Sequence, residues 1–275
     1  MRRRQRGFTL LELALVLLVI TVLLGGLAVP FTRQIETRRI AETQKAMATI
    51  QDALVGYAMG HFYQCSYDSN GNLLSGQLSY CPSTDLNHKG QTVTYHYLPC
   101  PANQSPNQPS NGQEDRDVST GQCVFPTPGQ PVGLLPWATL GLPEADAWGN
   151  TYSYDVVGDY ANRQKGFDSA SLLPPYPAGQ ICLCTSSACP APKVPVAAVV
   201  ISHGPNGLGA YSASNNAWNA APSSADETAN AIYRSLTYVS HPPVDAGSPG
   251  GPFDDLAVGL SLPALLNRVC PAGGC

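Results

Sequence analysis

MRRRQRGFTLLELALVLLVITVLLGGLAVP, residues 1–30, decides how the rest of this 275-residue chain is read. A basic stub with four arginines ends at Gly7, and an apolar run of 22 residues follows over positions 8–29. At ~1.5 Å per helical residue the run reaches about 33 Å, enough to span a bilayer. It is longer than the apolar core of a secretory signal, and no small-x-small cleavage site follows it. The best cleavage point lies ahead of the run, between Gly7 and Phe8, so processing leaves the hydrophobic helix on the mature chain. Its only charge is Glu12. A carboxylate inside a membrane segment costs roughly 2.5–3.5 kcal/mol at mid-helix, less near an end, and is usually functional.

Working outward, Pro30 marks the end of the apolar half. From 34 to about 62 the pattern is helical, with Ile40, Met47 and Leu54 on one heptad position and Ile50 and Tyr57 on another. Glu36, Arg39, Glu42, Lys45 and Asp52 occupy the opposite face. One helix of about 55 residues is expected, loosened near Gly25, Gly26 and Pro30. Its second half should bury the Ile/Met/Leu stripe against a sheet, because about two heptads are too few for a coiled coil. The chain thus divides into a stub (1–7), a membrane-spanning half-helix (8–30), an amphipathic half-helix (31–63) and a β-rich globular part (64–275). In that last part strands are expected at 72–78, 91–98, 151–157, 195–202, 233–239 and 256–260, with a short helix at 263–269. Residues 102–131 read as a long loop, and no internal repeat is visible.

Charged residues make up only 12% of the chain while Gly and Pro number 26 and 25, which favours strands and loops over helix bundles. Without residues 1–7 the net charge is −8, against general nucleic-acid binding, which needs a basic patch. Nine cysteines suit an oxidising compartment, and all lie beyond the helix, so the N-terminus is expected inside and the body outside. By proximity Cys65 can pair with Cys81, Cys100 with Cys123 and Cys270 with Cys275. Two of Cys182, Cys184 and Cys189 would make a fourth bridge, leaving one thiol over. A metal cluster at this C-x-C-x4-C is the alternative, disfavoured by the lack of a nearby His.

Residues Gly7, Phe8, Thr9, Leu10, Leu11 and Glu12 match, without a gap, the G-F-T-L-[LI]-E leader pattern of type IV pilins and type II secretion pseudopilins. The resemblance extends into the body. Residues 146–154 (DAWGNTYSY) resemble the D-P-W-G-N-x-Y segment of the pseudopilin core, with Ala147 in place of Pro. Residues 197–211 (AAVVISHGPNGLGAY) are similar to its final-sheet segment. LPCPA (98–102), SNGQEDR (110–116), LPWATLGL (135–142) and FDDLAV (253–258) resemble segments of a larger prepilin-like subgroup. The resemblance implies cleavage by a prepilin peptidase after Gly7 and methylation of the new Phe8 amine. In a filament that amine pairs with Glu12, an attraction that grows as the dielectric falls. It also implies an α+β, type IV pilin-like fold, a long N-terminal helix on an antiparallel sheet with disulfide-bearing loops.

Other candidate chemistry is sparse. Glu114, Asp115 and Asp117 lie in the long loop, Asp226 and Glu227 precede an apparent strand, and Asp254 and Asp255 follow a Gly/Pro turn. Hard oxygen ligands on Gly-rich loops suit calcium. The resemblance implies a calcium site in the loop after 201–209, as in major pseudopilins. That loop holds Asn206 here without a D-x-D spacing, so solvated carboxylates and no resident metal or other cofactor are expected. His203, alone before a turn, reads as structural, and Trp137 and Trp148 as core aromatics. No G-x-S-x-G, H-E-x-x-H or phosphate-cradling loop is present, so no enzyme is expected. The expected function is assembly: a minor pseudopilin or pilus-like subunit in the inner membrane, body in the periplasm, joining other pilin subunits through its N-terminal helix. An adhesive or DNA-uptake minor pilin is the alternative, and a membrane-anchored periplasmic enzyme the third.

Overall fold

A computed structural model describes residues 9–74, 80–102, 111–172, 179–190, 193–233, 236–245, 247–248, 250–270 and 275, with the side chains of 23–32 left out. The chain divides into two units, residues 1–42 and 43–275. Helix α1 (Leu10–Gly60) is assigned without a break through Gly25, Gly26 and Pro30. In the first unit, Leu10, Leu11, Leu13 and Leu15 leave most of their apolar side chains uncovered. Among the described residues no helix is long and apolar enough to cross a membrane. The apolar run lies only partly within them, because Phe8 and the side chains beyond position 22 fall outside.

In the second unit, α1 ends at Gly60, two or three residues earlier than its period suggests, because Phe62 already pairs in a strand. Strands β1 (Phe62–Ser66) and β2 (Thr92–His96) form an antiparallel pair with Tyr63 opposite Tyr95. After the short helix α2 (Trp137–Leu140) come β3 (Asn150–Thr151), β4 (Ser153–Val156) and helix α3 (Gly158–Ala161). Strands β5 (Ile181–Cys184), β6 (Val194–Val196), β7 (Ala198–Ser202), β8 (Tyr211–Ser212) and β9 (Ala217–Trp218) follow. Helix α4 (Ala225–Ala231), strands β10 (Thr237–Val239) and β11 (Leu256–Leu260), and helix α5 (Leu262–Val269) complete the order.

The central sheet is antiparallel in the order β11-β7-β4, with Val200 opposite both Val258 and Tyr154. All five residues of β7 are buried, as expected of a middle strand covered on both faces. Met47, Ile50 and Leu54 of α1 share one core with Tyr154, Val200 and Leu265. The amphipathic stripe therefore does what its spacing asks of it. Helix α5 starts at Ser261, whose hydroxyl accepts from the Ala264 amide, and Pro263 sits in its first turn, where no N–H is needed.

The α+β reading holds at this level, but a single antiparallel sheet does not. Two further three-stranded sheets, β10-β5-β6 and β3-β8-β9, stand beside the central one. Strands β10 and β5 run parallel, Tyr238 beside Leu183. The strand expected at 72–78 is absent over 72–74, where Leu73 and Asn72 make isolated bridges to Tyr67 and Thr84; residues 75–79 lie outside the described set. Asp68 explains the turn, since its carboxylate accepts from the Asn70 and Asn72 amides and bends the chain before a ladder can extend. Nor is 111–131 an irregular loop throughout. Arg116 bridges Cys123, and Glu114 bridges Ala102.

Candidate functional site

The first candidate is the N-terminal end. Gly7 and Phe8 lie outside the described residues, and the site's visible part is one turn of helix. The Thr9 amide and hydroxyl both donate to Glu12 Oε2, at 2.9 and 3.0 Å, and the Glu12 amide donates back to Thr9 Oγ1 at 3.3 Å. This reciprocal capping box satisfies amides that no helical carbonyl can reach. Glu12 is thereby fixed beside the start of the helix, in its first turn.

The cysteines form the second feature. Cys65 is bridged to Cys81, Cys100 to Cys123, Cys184 to Cys189 and Cys270 to Cys275, and Cys182 is free. The C-x-C-x4-C run is therefore a bridge plus one thiol. Cys182 and Cys184 sit in the middle strand of their sheet.

Asp117 is a solvated loop charge as expected, but Glu114, Asp226, Glu227 and Asp255 are not. Glu114 pairs with Arg116 at 2.9 Å and also accepts from Tyr57 Oη and the Cys100 amide. The Arg116 guanidinium reaches the carbonyls of Leu98, Gly121 and Ala161 and lies 5.0 Å from the centre of the Tyr97 ring. Asp117 turns back on its own loop through Ser119 and Thr120. Asp226 and Glu227 part company. Asp226 accepts from the Ser187 amide and faces His241 at 3.3 Å, whereas Glu227 points the other way, toward Asp254 and Asp255. Helix periodicity separates them, for neighbours on α4 project on different faces.

His203 is fully buried, in line with a structural role. Its Nε2 lies 2.9 Å from Ser153 Oγ, and its Nδ1 lies 3.7 Å from Asp255 Oδ1. The order Ser–His–Asp is that of a nucleophile, its base and an orienting acid, brought together by β4, the turn after β7 and the start of β11. No substrate can reach Oγ here, because Ser153 and His203 are both fully buried. The chain of polar contacts ties three segments of the central sheet instead. Trp137 borders the core, but Trp148 is only half-buried and outside it.

Gly204 makes this turn possible. Its φ is +59°, and a Cβ there would lie 2.3 Å from the carbonyl oxygen of Asp254. Gly204→Ala should destabilise the fold by about 2–4 kcal/mol, combining left-handed strain and overpacking. Chemical denaturation of wild type and variant measures this, and a difference under about 0.5 kcal/mol would contradict it.

A second polar cluster anchors the segment before β2. His88 lies between Asp85 (2.8 Å) and Asp168 (3.1 Å), and Tyr95 Oη donates to Asp85. Burial pushes the Asp85 carboxyl up, but hydrogen bonds from Tyr95 and His88 outweigh it and leave the carboxyl below its ordinary value. A lowered folded pKa stabilises above the unfolded value of about 3.9, and that stability is lost as pH falls through the folded value. The thermal midpoint should therefore drop as pH falls below about 4, and drop less in Asp85→Asn. Equal losses in the two proteins would refute the assignment.

No curated protein and no solved structure matches the chain. Residues 2–28 match the prokaryotic N-terminal methylation motif. That match covers the basic stub, the Gly7–Phe8 junction, the capping pair Thr9–Glu12 and most of the apolar run. The chain therefore begins with a prepilin-type leader of the type IV pilin kind.

Proposed function

We propose that the chain is a structural subunit, a minor pseudopilin, of a type II secretion or type IV pilus-like filament. On this reading a prepilin peptidase cuts between Gly7 and Phe8 and the Phe8 amine is methylated. The apolar helix of 8–29 first holds the subunit in the inner membrane, body in the periplasm, and then packs among the helices of other subunits. The observation that carries the reading is the methylation motif, joined to a Glu12 that the Thr9 cap holds in the first helical turn. The uncovered leucines of that helix support it, since an apolar surface of this length requires lipid or a partner. The large, disulfide-stapled body favours a minor subunit, because bulky heads pack poorly in a repetitive shaft. The assembly role needs no catalytic group from the chain.

The test is the intact mass of the membrane-extracted protein. The expected mass lacks residues 1–7, carries one added methyl and is lower by the hydrogens of four disulfides. Gly7→Glu should leave the leader in place and remove the subunit from filaments. An uncut N-terminus in the wild type, or cleavage after Val29, would overturn the reading. Deleting the gene then separates systems: loss of secreted hydrolases supports a pseudopilin, while loss of surface pili with normal secretion supports a pilin.

A further inference from the structure

On the reading that the apolar run anchors the chain in a bilayer, we propose that Arg33, Arg38 and Arg39 form a collar. The collar grips the headgroups of anionic phospholipids where α1 leaves the membrane. Helix α1 runs unbroken from Leu10 to Gly60, so distances along it follow from the helical rise. Four residues separate Val29 from Arg33, about 6 Å of axis, and Arg38 and Arg39 follow about 8–9 Å further on. The headgroup layer is itself about 5–8 Å thick on each side of the hydrocarbon. Arg33 therefore stands at headgroup level. Helical side chains lean toward the N-terminus, which here is the bilayer side, so the long side chains at 38 and 39 reach back toward the same layer.

The distribution round the axis says what kind of surface they fit. At about 100° per residue the three stand roughly 100–140° apart, so each side of the helix carries a guanidinium. A stripe on one face would suit a groove on a protein. A ring suits a surface that surrounds the helix, as lipid does.

The three side chains are also available. All are exposed. Arg38 pairs with Glu42 at 3.1 Å while the side chains stay 82% and 58% exposed, and an exposed pair of this kind is weak. Among the described residues Arg33 and Arg39 form no ion pair, and neither does Glu36, which lies between them in sequence. A guanidinium fits a phosphate through two parallel N–H donors, a match that an ammonium cannot make.

Charge elsewhere in the chain isolates the collar. Residues 43–275 hold eight Lys and Arg against sixteen Asp and Glu, so an anionic surface repels that part. Basic flanks normally stay on the cytoplasmic side of a span. Here the four arginines of residues 1–7 are cut away on processing, and these three remain on the exported side. Attraction to an anionic membrane on that side falls to residues 33–39.

The full chain is reconstituted into vesicles of phosphatidylcholine mixed with phosphatidylglycerol and re-extracted in mild detergent. The lipids it retains are then quantified by mass spectrometry. Phosphatidylglycerol should be retained over phosphatidylcholine by roughly fivefold for each arginine that reaches a headgroup, and the preference should shrink as salt rises. The triple variant Arg33→Gln/Arg38→Gln/Arg39→Gln should retain the two lipids in the proportion supplied, with the thermal midpoint of the second unit unchanged. Arg33→Gln alone should already lose part of the preference. No preference in the wild type, or one that survives the triple substitution, would overturn the proposal. So would salt-sensitive self-association that the triple variant loses without any lipid preference, which assigns the arginines to the acidic body of a second copy. Flotation with pure phosphatidylcholine vesicles tests the apolar helix by itself. A chain that does not float counts against the membrane reading, and one that floats without enriching phosphatidylglycerol overturns the collar alone.

Discussion

Leu54→Ala should lower the unfolding free energy of the second unit by about 3–5 kcal/mol, the range seen for a leucine deleted from a packed interior. Leu54 is fully buried and belongs to the core formed with Tyr154, Val200 and Leu265. Truncation removes the transfer free energy of its side chain and leaves a hole that helix and sheet, both rigid, close only in part. Folded domains keep only about 5–15 kcal/mol, so a loss of this size changes the folded fraction visibly. Asp52, on the solvent side of the same turn, provides the comparison. It pairs with Arg268 at 2.7 Å while both side chains stay more than half exposed. Asp52→Ala should cost less than about 1 kcal/mol. Urea denaturation of both variants decides it, and a Leu54 effect no larger than the Asp52 effect would show that the stripe is not a core face.

Arg116→Met should cost about as much, roughly 3–5 kcal/mol, by leaving a partly buried carboxylate without its cation. The guanidinium is nearly buried and serves three carbonyls as well as Glu114. Methionine fills much of the space but can donate to none of these acceptors. The double variant Arg116→Met/Glu114→Gln should recover part of the loss, because the stranded charge is then gone. Additive losses from the two single changes would instead mean that the ion pair is not the coupled unit. Lysine at 116 should rescue incompletely, since one ammonium cannot reach a fork of four acceptors.

Local rules carried much of this fold. The spacing of Met47, Ile50, Leu54 and Tyr57 on α1 was legible because a helix repeats often enough for its period to show. The Cys65–Cys81 and Cys100–Cys123 bridges join near neighbours in sequence. Illegible features are short or distant. Strands β3, β8 and β9 have two residues each, too few for alternation to register. Helix α4 hides because its apolar residues are alanines, which leave no stripe. Strand β5 is half cysteine, and its cysteines drew a bridge or metal reading before a strand. In the acidic cluster Glu227 stands 27 positions from Asp254 and 24 from His203, and only the sheet brings them together. A signal was present in the pairing of an acidic couplet with FDD at 253–255, but its geometry was not.

The bridges also set an order of events. The widest, Cys100–Cys123, spans 23 residues, and two span only five. At a synthesis rate of about 5–20 residues per second, each pair of thiols is complete within about five seconds of its first member. The central sheet cannot match this, since β4 must wait for β7 and β7 for β11, more than 40 and 50 residues downstream. Both thiols of three of the four bridges are thus present before the last strand of the central sheet is made. During that interval Cys182, two residues from Cys184, is the one thiol positioned to mispair, and Cys182→Ser removes the hazard without touching a native bridge.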